Sequence, residues 1–102
     1  MNRGDVYDIS FPGGSHPGVI VTRDRAIPLL RNVCVVAVTS TVRDLPTEVP
    51  VGPEHGLERD SVANCDNVMT VPKSALGRRR GALGPEELFR LGAALRIALD
   101  LN

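Results

Sequence analysis

Three hydroxyl residues in a row, Thr39-Ser40-Thr41, close the apolar run Val33–Val38, and Arg43 stands just beyond them. Hydroxyls on a rigid strand end beside a guanidinium are suited to holding an anion such as phosphate. His16, between a Gly/Ser-rich stretch and Pro17, is a side-chain type that moves protons near neutral pH. Arg23, Arg25, Arg31 and Arg43 follow strand-like segments; on one shared rim they would attract phosphate. Arg78-Arg79-Arg80 is a denser cluster. Strand alternation would set Arg78 and Arg80 on one face, opposite Arg79, ready for a backbone phosphate or an acidic protein segment. Ser61, Asn64, Asp66 and Asn67 form a polar knot of the kind that reads the edges of unpaired bases. Plainer readings stand beside these: a Thr/Ser turn, a solvated loop histidine, ordinary surface charge, and turn-forming residues.

The bulk of the chain limits what those residues can be part of. Its 102 residues suit one small domain spanning 1–102. Twelve basic and twelve acidic side chains cancel, which excludes a uniformly basic nucleic-acid binder and leaves room for a local patch. Tyr7, Phe11 and Phe89 are the only aromatics, so Val, Leu, Ile and Ala must build the core. Cys34 and Cys65, with only His16 and His55 to join them, lack the spacing of a zinc site, and no metal or cofactor is expected. Cys34 falls in the apolar run and reads as a small core residue. The N-terminus passes straight into a strand-like pattern, and no apolar stretch approaches membrane-spanning length. A cytoplasmic protein with no membrane segment is the expectation.

The elements that must position the polar residues follow from periodicity. Val6 to Phe11 alternates like a strand and is broken by Pro12-Gly13-Gly14-Ser15, a loop signal. Gly18–Thr22 is a second strand, and Pro28-Leu29-Leu30 suits one helical turn. The β-branched run Val33–Val38 reads as a strand buried on both faces. Glu48–Val51 carries Pro50 and belongs near an edge. Ser61–Ala63 and Val68–Val71 read as two short strands around the polar knot, with a last one at 78–83. Then the period changes: Pro85, Glu86 and Glu87 open a helix whose apolar face is Leu88, Leu91, Leu95, Ala98 and Leu99. Many short strands followed by one helix predict a mainly β (α+β) domain, a small closed or nearly closed β-barrel.

In order along the chain, Arg3-Gly4-Asp5-Val6-Tyr7, His16-Pro17-Gly18-Val19-Ile20-Val21, Val36-Ala37-Val38-Thr39-Ser40, Leu57–Val62 and Cys65-Asp66-Asn67-Val68 resemble the segments of the MazF/PemK family of toxin endoribonucleases, the mRNA interferases of bacterial type II toxin–antitoxin modules. The resemblance spans nearly the whole chain. It implies an SH3-like β-barrel with a C-terminal α-helix, shared with the CcdB-like plasmid maintenance toxins. It implies a homodimer that cuts single-stranded RNA (mRNA, sometimes tRNA or rRNA) without a metal, and an antitoxin whose extended tail fills the RNA groove. The family's catalytic pair is the Arg of an Arg-Pro motif and the Thr or Ser ending the apolar strand. Thr39, seconded by Ser40, matches the latter. His16 stands where the family has Arg, so proton transfer falls to His16, and Arg23 or Arg25 becomes the candidate for the missing positive charge. Arg25, Thr41, Arg43, Ser61, Asn64, Asp66, Asn67, Arg78 and Arg80 are the candidate RNA contacts. A catalytically weakened member, a gyrase-binding toxin of the CcdB type and an unrelated SH3-like interaction module are the competing expectations. The chain end Ala98–Asn102 lacks the aromatics of the second, and the scarcity of aromatics throughout argues against the third.

Overall fold

A computed structural model describes residues 1–102. Six strands are followed by one helix: β1 (Asp5–Phe11), β2 (Gly14–Ile20), β3 (Asn32–Thr39), β4 (Glu48–Val51), β5 (Ser61–Pro72), β6 (Leu76–Ala82) and α1 (Pro85–Ala98). They form one antiparallel sheet in the order β4-β5-β3-β2-β1-β6. The mainly β architecture with a C-terminal helix is the expected one, and Pro50 does sit on an edge strand.

The sheet curls until its two ends touch. The 3-10 turn Pro53–His55 after β4 packs on β6, where Arg80 Nε donates to the Gly56 carbonyl (3.1 Å). Gly56 has φ +88°, and a Cβ there would lie 1.9 Å from the Arg80 carbonyl oxygen, so only glycine allows this approach. The barrel is therefore closed by a turn contact, without a ladder between β4 and β6.

Alternation along β3 feeds two cores. Val36 and Val38 join Val6, Val19, Val49, Cys65, Leu91 and Ala94 inside the curl, under the helix. Val33 and Val35 join Ile9, Ile20, Ile27 and Val71 on the other face. The valines are buried on both faces as expected, whereas Cys34 and Ala37 are only half-buried. On α1, Leu91 and Ala94 are buried, with Leu88, Leu95 and Ala98 packed beside them. Leu99 lies past the end of the helix and is exposed, contrary to its expected place on the core face.

Three segments differ from the sequence reading. Gly14, Ser15 and His16 are not a loop: they pair with Phe11, Ser10 and Ile9, and only Pro12-Gly13 turns the hairpin. The polar knot does not separate two strands. β5 is continuous, and Val36 pairs with Val68 while the next residue, Ala37, pairs with Asn64. Cys65, Asp66 and Asn67 are thus extruded as a bulge, which buries Cys65 and exposes Asp66 and Asn67. Finally, Arg78 and Arg80 do not share a face. The β1–β6 register shifts twice, which breaks the alternation; Arg78 is exposed and Arg80 half-buried.

Candidate active site

The ladder between β2 and β3 ends for a chemical reason. Val21 N–H donates to the Cys34 carbonyl (2.9 Å). Stepping back two residues at a time, the next positions of β2 that face β3 are Val19 and Pro17. Pro17 has no N–H to give to Val38, and the recorded pairing accordingly begins at Gly18↔Ala37. Continuing that register sets His16 opposite Thr39. Past the last pair the two strand ends border a cavity of about 530 Å³.

Thr39 from β3 and Ser40 just after it line this cavity, with Ser15 and His16 from β2, Asp8 from β1, Arg80 from β6, Glu58 and Arg59 from the approach to β5, and Ser61 from its start. Thr39 Oγ1 accepts from Thr41 N–H (3.1 Å), so it caps the turn while its own hydrogen stays free to donate. The turn role and the anion-binding role coexist in one hydroxyl. His16 is exposed, and its ring rests 6.1 Å centroid to centroid from Phe11. Ser61 Oγ donates to the Arg59 carbonyl (3.1 Å). Asp8, Ser15, Glu58 and Arg59 were not singled out from sequence; Asp8, a carboxylate between the apolar residues of a strand, carried the clearest unread signal.

Other expected site residues stand around the mouth or away from it. Thr41 and Arg43 are exposed on the β3–β4 loop, which Glu48 fastens by accepting from Arg43 N–H (3.0 Å) and Leu45 N–H (3.1 Å). Asp66 and Asn67 ride on the β5 bulge beside that loop, and Asn64 precedes it; Thr47 Oγ1 donates to Asp66 Oδ2 (2.6 Å), and Asn64 Oδ1 accepts from Asp66 N–H (3.0 Å). Arg78 is exposed on β6, outside the cavity. Arg23 and Arg25 are not on the rim at all. Arg23 lines a second cavity of about 580 Å³ with Arg3, Arg31, Cys34, Leu95 and Leu99. An extended chain from His16 to Arg23 covers roughly 20 Å, and Arg25 lies beyond it in an exposed turn.

His55 does structural work nearby. Its buried ring accepts from Gly52 N–H at Nδ1 (3.0 Å), and Nε2 on the far side of the ring lies 3.4 Å from Glu87 Oε1. That oxygen also accepts from Gly84 N–H (2.9 Å) at the start of α1. The Gly84 hydrogen bond, followed by His55, holds the Glu87 carboxyl below its ordinary range. No three or more His, Cys, Asp or Glu side chains converge as a metal cluster would, and no helix is long and apolar enough to cross a membrane.

A curled six-stranded antiparallel sheet with one C-terminal helix is the architecture of a MazF-like toxin. The sequence profile described as PemK-like, MazF-like toxin of type II toxin-antitoxin system matches residues 2–99, and the chain belongs to this family of endoribonuclease toxins. It is 43% identical over 88 residues to endoribonuclease MazF3 of Mycobacterium tuberculosis, covering 86% of this chain and 85% of the relative. Among solved structures, Mycobacterium tuberculosis toxin MazF-mt6 superposes with a TM-score of 0.90 at 39% identity, over 96% of this chain and 98% of that one. A mycobacterial endoribonuclease in complex with its cognate antitoxin superposes with a TM-score of 0.91 at 33% identity, over 100% and 97% of the two chains. These relatives favour the nuclease expectation over the gyrase-binding and peptide-module ones.

Proposed function

We propose that this toxin cuts single-stranded RNA, mRNA first among its targets, by using the RNA's own 2′-OH. The observation that carries the reading is that His16 and Thr39 line one cavity, at the ends of the neighbouring strands β2 and β3. The 2′-oxygen attacks the adjacent phosphorus as His16 takes its proton. The bond from phosphorus to the 5′-oxygen breaks, and that oxygen is protonated from water. The products are a 2′,3′-cyclic phosphate and a 5′-OH, and no metal or external nucleophile takes part. Thr39 and Ser40 donate to the phosphoryl oxygens, where charge builds up. Thr41, Arg43, Arg59, Arg78 and Arg80 draw the backbone across the mouth, and Ser61, Asn64, Asp66 and Asn67 read unpaired bases.

Cutting mRNA in the cytoplasm would stop translation and growth. A cognate antitoxin would neutralise the enzyme by laying an extended segment in the same groove, a reading supported by the antitoxin complex of the 33%-identical relative. The toxin works as a homodimer in this reading. Exposed Leu30, Val68 and Leu99 around the second cavity offer an apolar surface for the partner copy.

The test is to incubate the antitoxin-free chain with mixed-sequence RNA in EDTA and to map the ends. Discrete cuts with cyclic phosphate ends, missing in Thr39→Ala, are expected. A folded wild-type chain that cuts nothing at any concentration would sink the proposal.

A further inference from the structure

A phosphodiester that gains charge in its transition state is best served by a permanent cation held still. Three basic side chains line the mouth: His16, Arg59 and Arg80. His16 and Arg59 are exposed, and neither side chain has a hydrogen-bond partner to hold it in place.

Arg80 is different. Its side chain is only 18% exposed. Nε donates to the Gly56 carbonyl (3.1 Å) and Nη1 to Asp8 Oδ1 (3.2 Å). Its main chain is also fixed, against the turn that closes the sheet, by the approach only Gly56 permits. A guanidinium carries five N–H donors. Two are spent on this anchoring, and the Nη2 contact to Glu58, at 3.9 Å, is too long for a hydrogen bond. The remaining donors belong to a side chain that lines the cavity. The carboxylate of Asp8, itself part of the cavity wall, has Arg80 as its only hydrogen-bond and ion-pair partner.

We infer that Arg80 is the guanidinium that carries the charge of the reacting phosphate, and that Asp8 is its positioning residue. This rests on the RNA-cleaving reading above and replaces Arg23 and Arg25, which lie at the other end of β2. Arg80 gains and loses no proton. It donates to a non-bridging oxygen of the phosphate while His16 and the 5′-oxygen handle protons.

The test compares wild type with Arg80→Gln, Arg80→Lys and Asp8→Asn at a mapped cut, under single-turnover conditions. Each RNA carries either an ordinary phosphate or a single non-bridging phosphorothioate diastereomer at the scissile position. Wild type should be slowed by sulfur in one diastereomer. Arg80→Gln should lose about 100-fold in rate, the size expected for removing one charge-stabilising donor, and should no longer distinguish oxygen from sulfur. Asp8→Asn should lose about tenfold, with a weakened sulfur effect. A purely structural role would lower the melting temperature and leave the sulfur effect intact. Arg80→Gln cutting within threefold of wild type, or keeping the full sulfur effect, overturns the inference. If Arg80→Gln does not fold, the sulfur effect in Arg80→Lys decides in the same way. A wild type that does not cut RNA refutes the underlying function instead, before any variant is compared.

Discussion

His16 and Thr39 line one cavity, from β2 and β3 just past the last pair of that ladder, Gly18↔Ala37, where Pro17 has no hydrogen to donate to Val38. At Pro17 the ladder lacks one donor, and this gap borders the site. It lies at the end of a strand whose four valines are buried.

Pro17→Ala should lace the gap shut. A new N–H at this position gains a hydrogen bond worth about 1 kcal/mol. Losing proline from the unfolded chain costs about 0.4–1 kcal/mol. The two nearly cancel, so the melting temperature should hold while RNA cleavage falls by about tenfold. Hydrogen exchange should show a protected amide at residue 17. Unchanged cleavage with a protected amide would mean that the gap is not the entrance.

Thr39→Ala removes the only hydroxyl at the mouth that is both half-buried and fixed by an incoming hydrogen bond from Thr41. Cleavage should fall by about 100-fold or more, in line with the loss of one charge-stabilising donor, and Thr39→Ser should recover most of it. Stability should drop by no more than about 1 kcal/mol, since Thr41 is exposed and its N–H can turn to water. Equal losses in both variants would assign the effect to packing of the threonine methyl group.

The fold was legible wherever one local pattern decided it. Leu88, Leu91, Leu95 and Ala98 recur at helical spacing behind Pro85, and Pro50 marks an edge. Local patterns failed where pairing overrode them: Gly14 and Ser15 look like a loop, yet β1 draws them into a strand. The bulge at 65–67 was equally hidden, because it is set by register against β3. Asp8 and Arg80 are 72 residues apart, and only the sheet order brings them together. The case of Arg23 is more instructive. His16 precedes one strand's apolar residues and Arg23 follows them, so the extended chain between them already required opposite ends of the sheet.

Acid should loosen the joint between the closing turn and α1. The Glu87 carboxyl is held below its ordinary range by Gly84 N–H first and His55 second. A depressed folded value means that the ionised carboxylate favours the folded state. Its contribution is complete above the unfolded value of about 4.3 and is lost as pH falls through the lower folded value. Melting temperature measured from about pH 6 down to pH 3 should therefore fall less steeply in Glu87→Gln than in wild type. Parallel curves would show that this carboxylate does not couple to folding.

Cys65 should be chemically silent in the folded toxin. The bulge turns its side chain into the core, 0% exposed, and burial first, then the neighbouring Asp66, pushes its thiol up to about 11. At pH 8 almost none of it is thiolate, and thiolate is the reactive form. A thiol reagent should therefore titrate at most one cysteine, Cys34, in the native protein and both in denaturant. Cys65→Ser should cost about 1–3 kcal/mol, because it places a hydroxyl in an apolar core, whereas Cys65→Ala leaves a smaller defect. Rapid modification of both cysteines under native conditions would mean that the β5 bulge opens far more often than its packing allows. The same bulge carries Asp66 and Asn67, so such opening would also blur whatever base preference they confer.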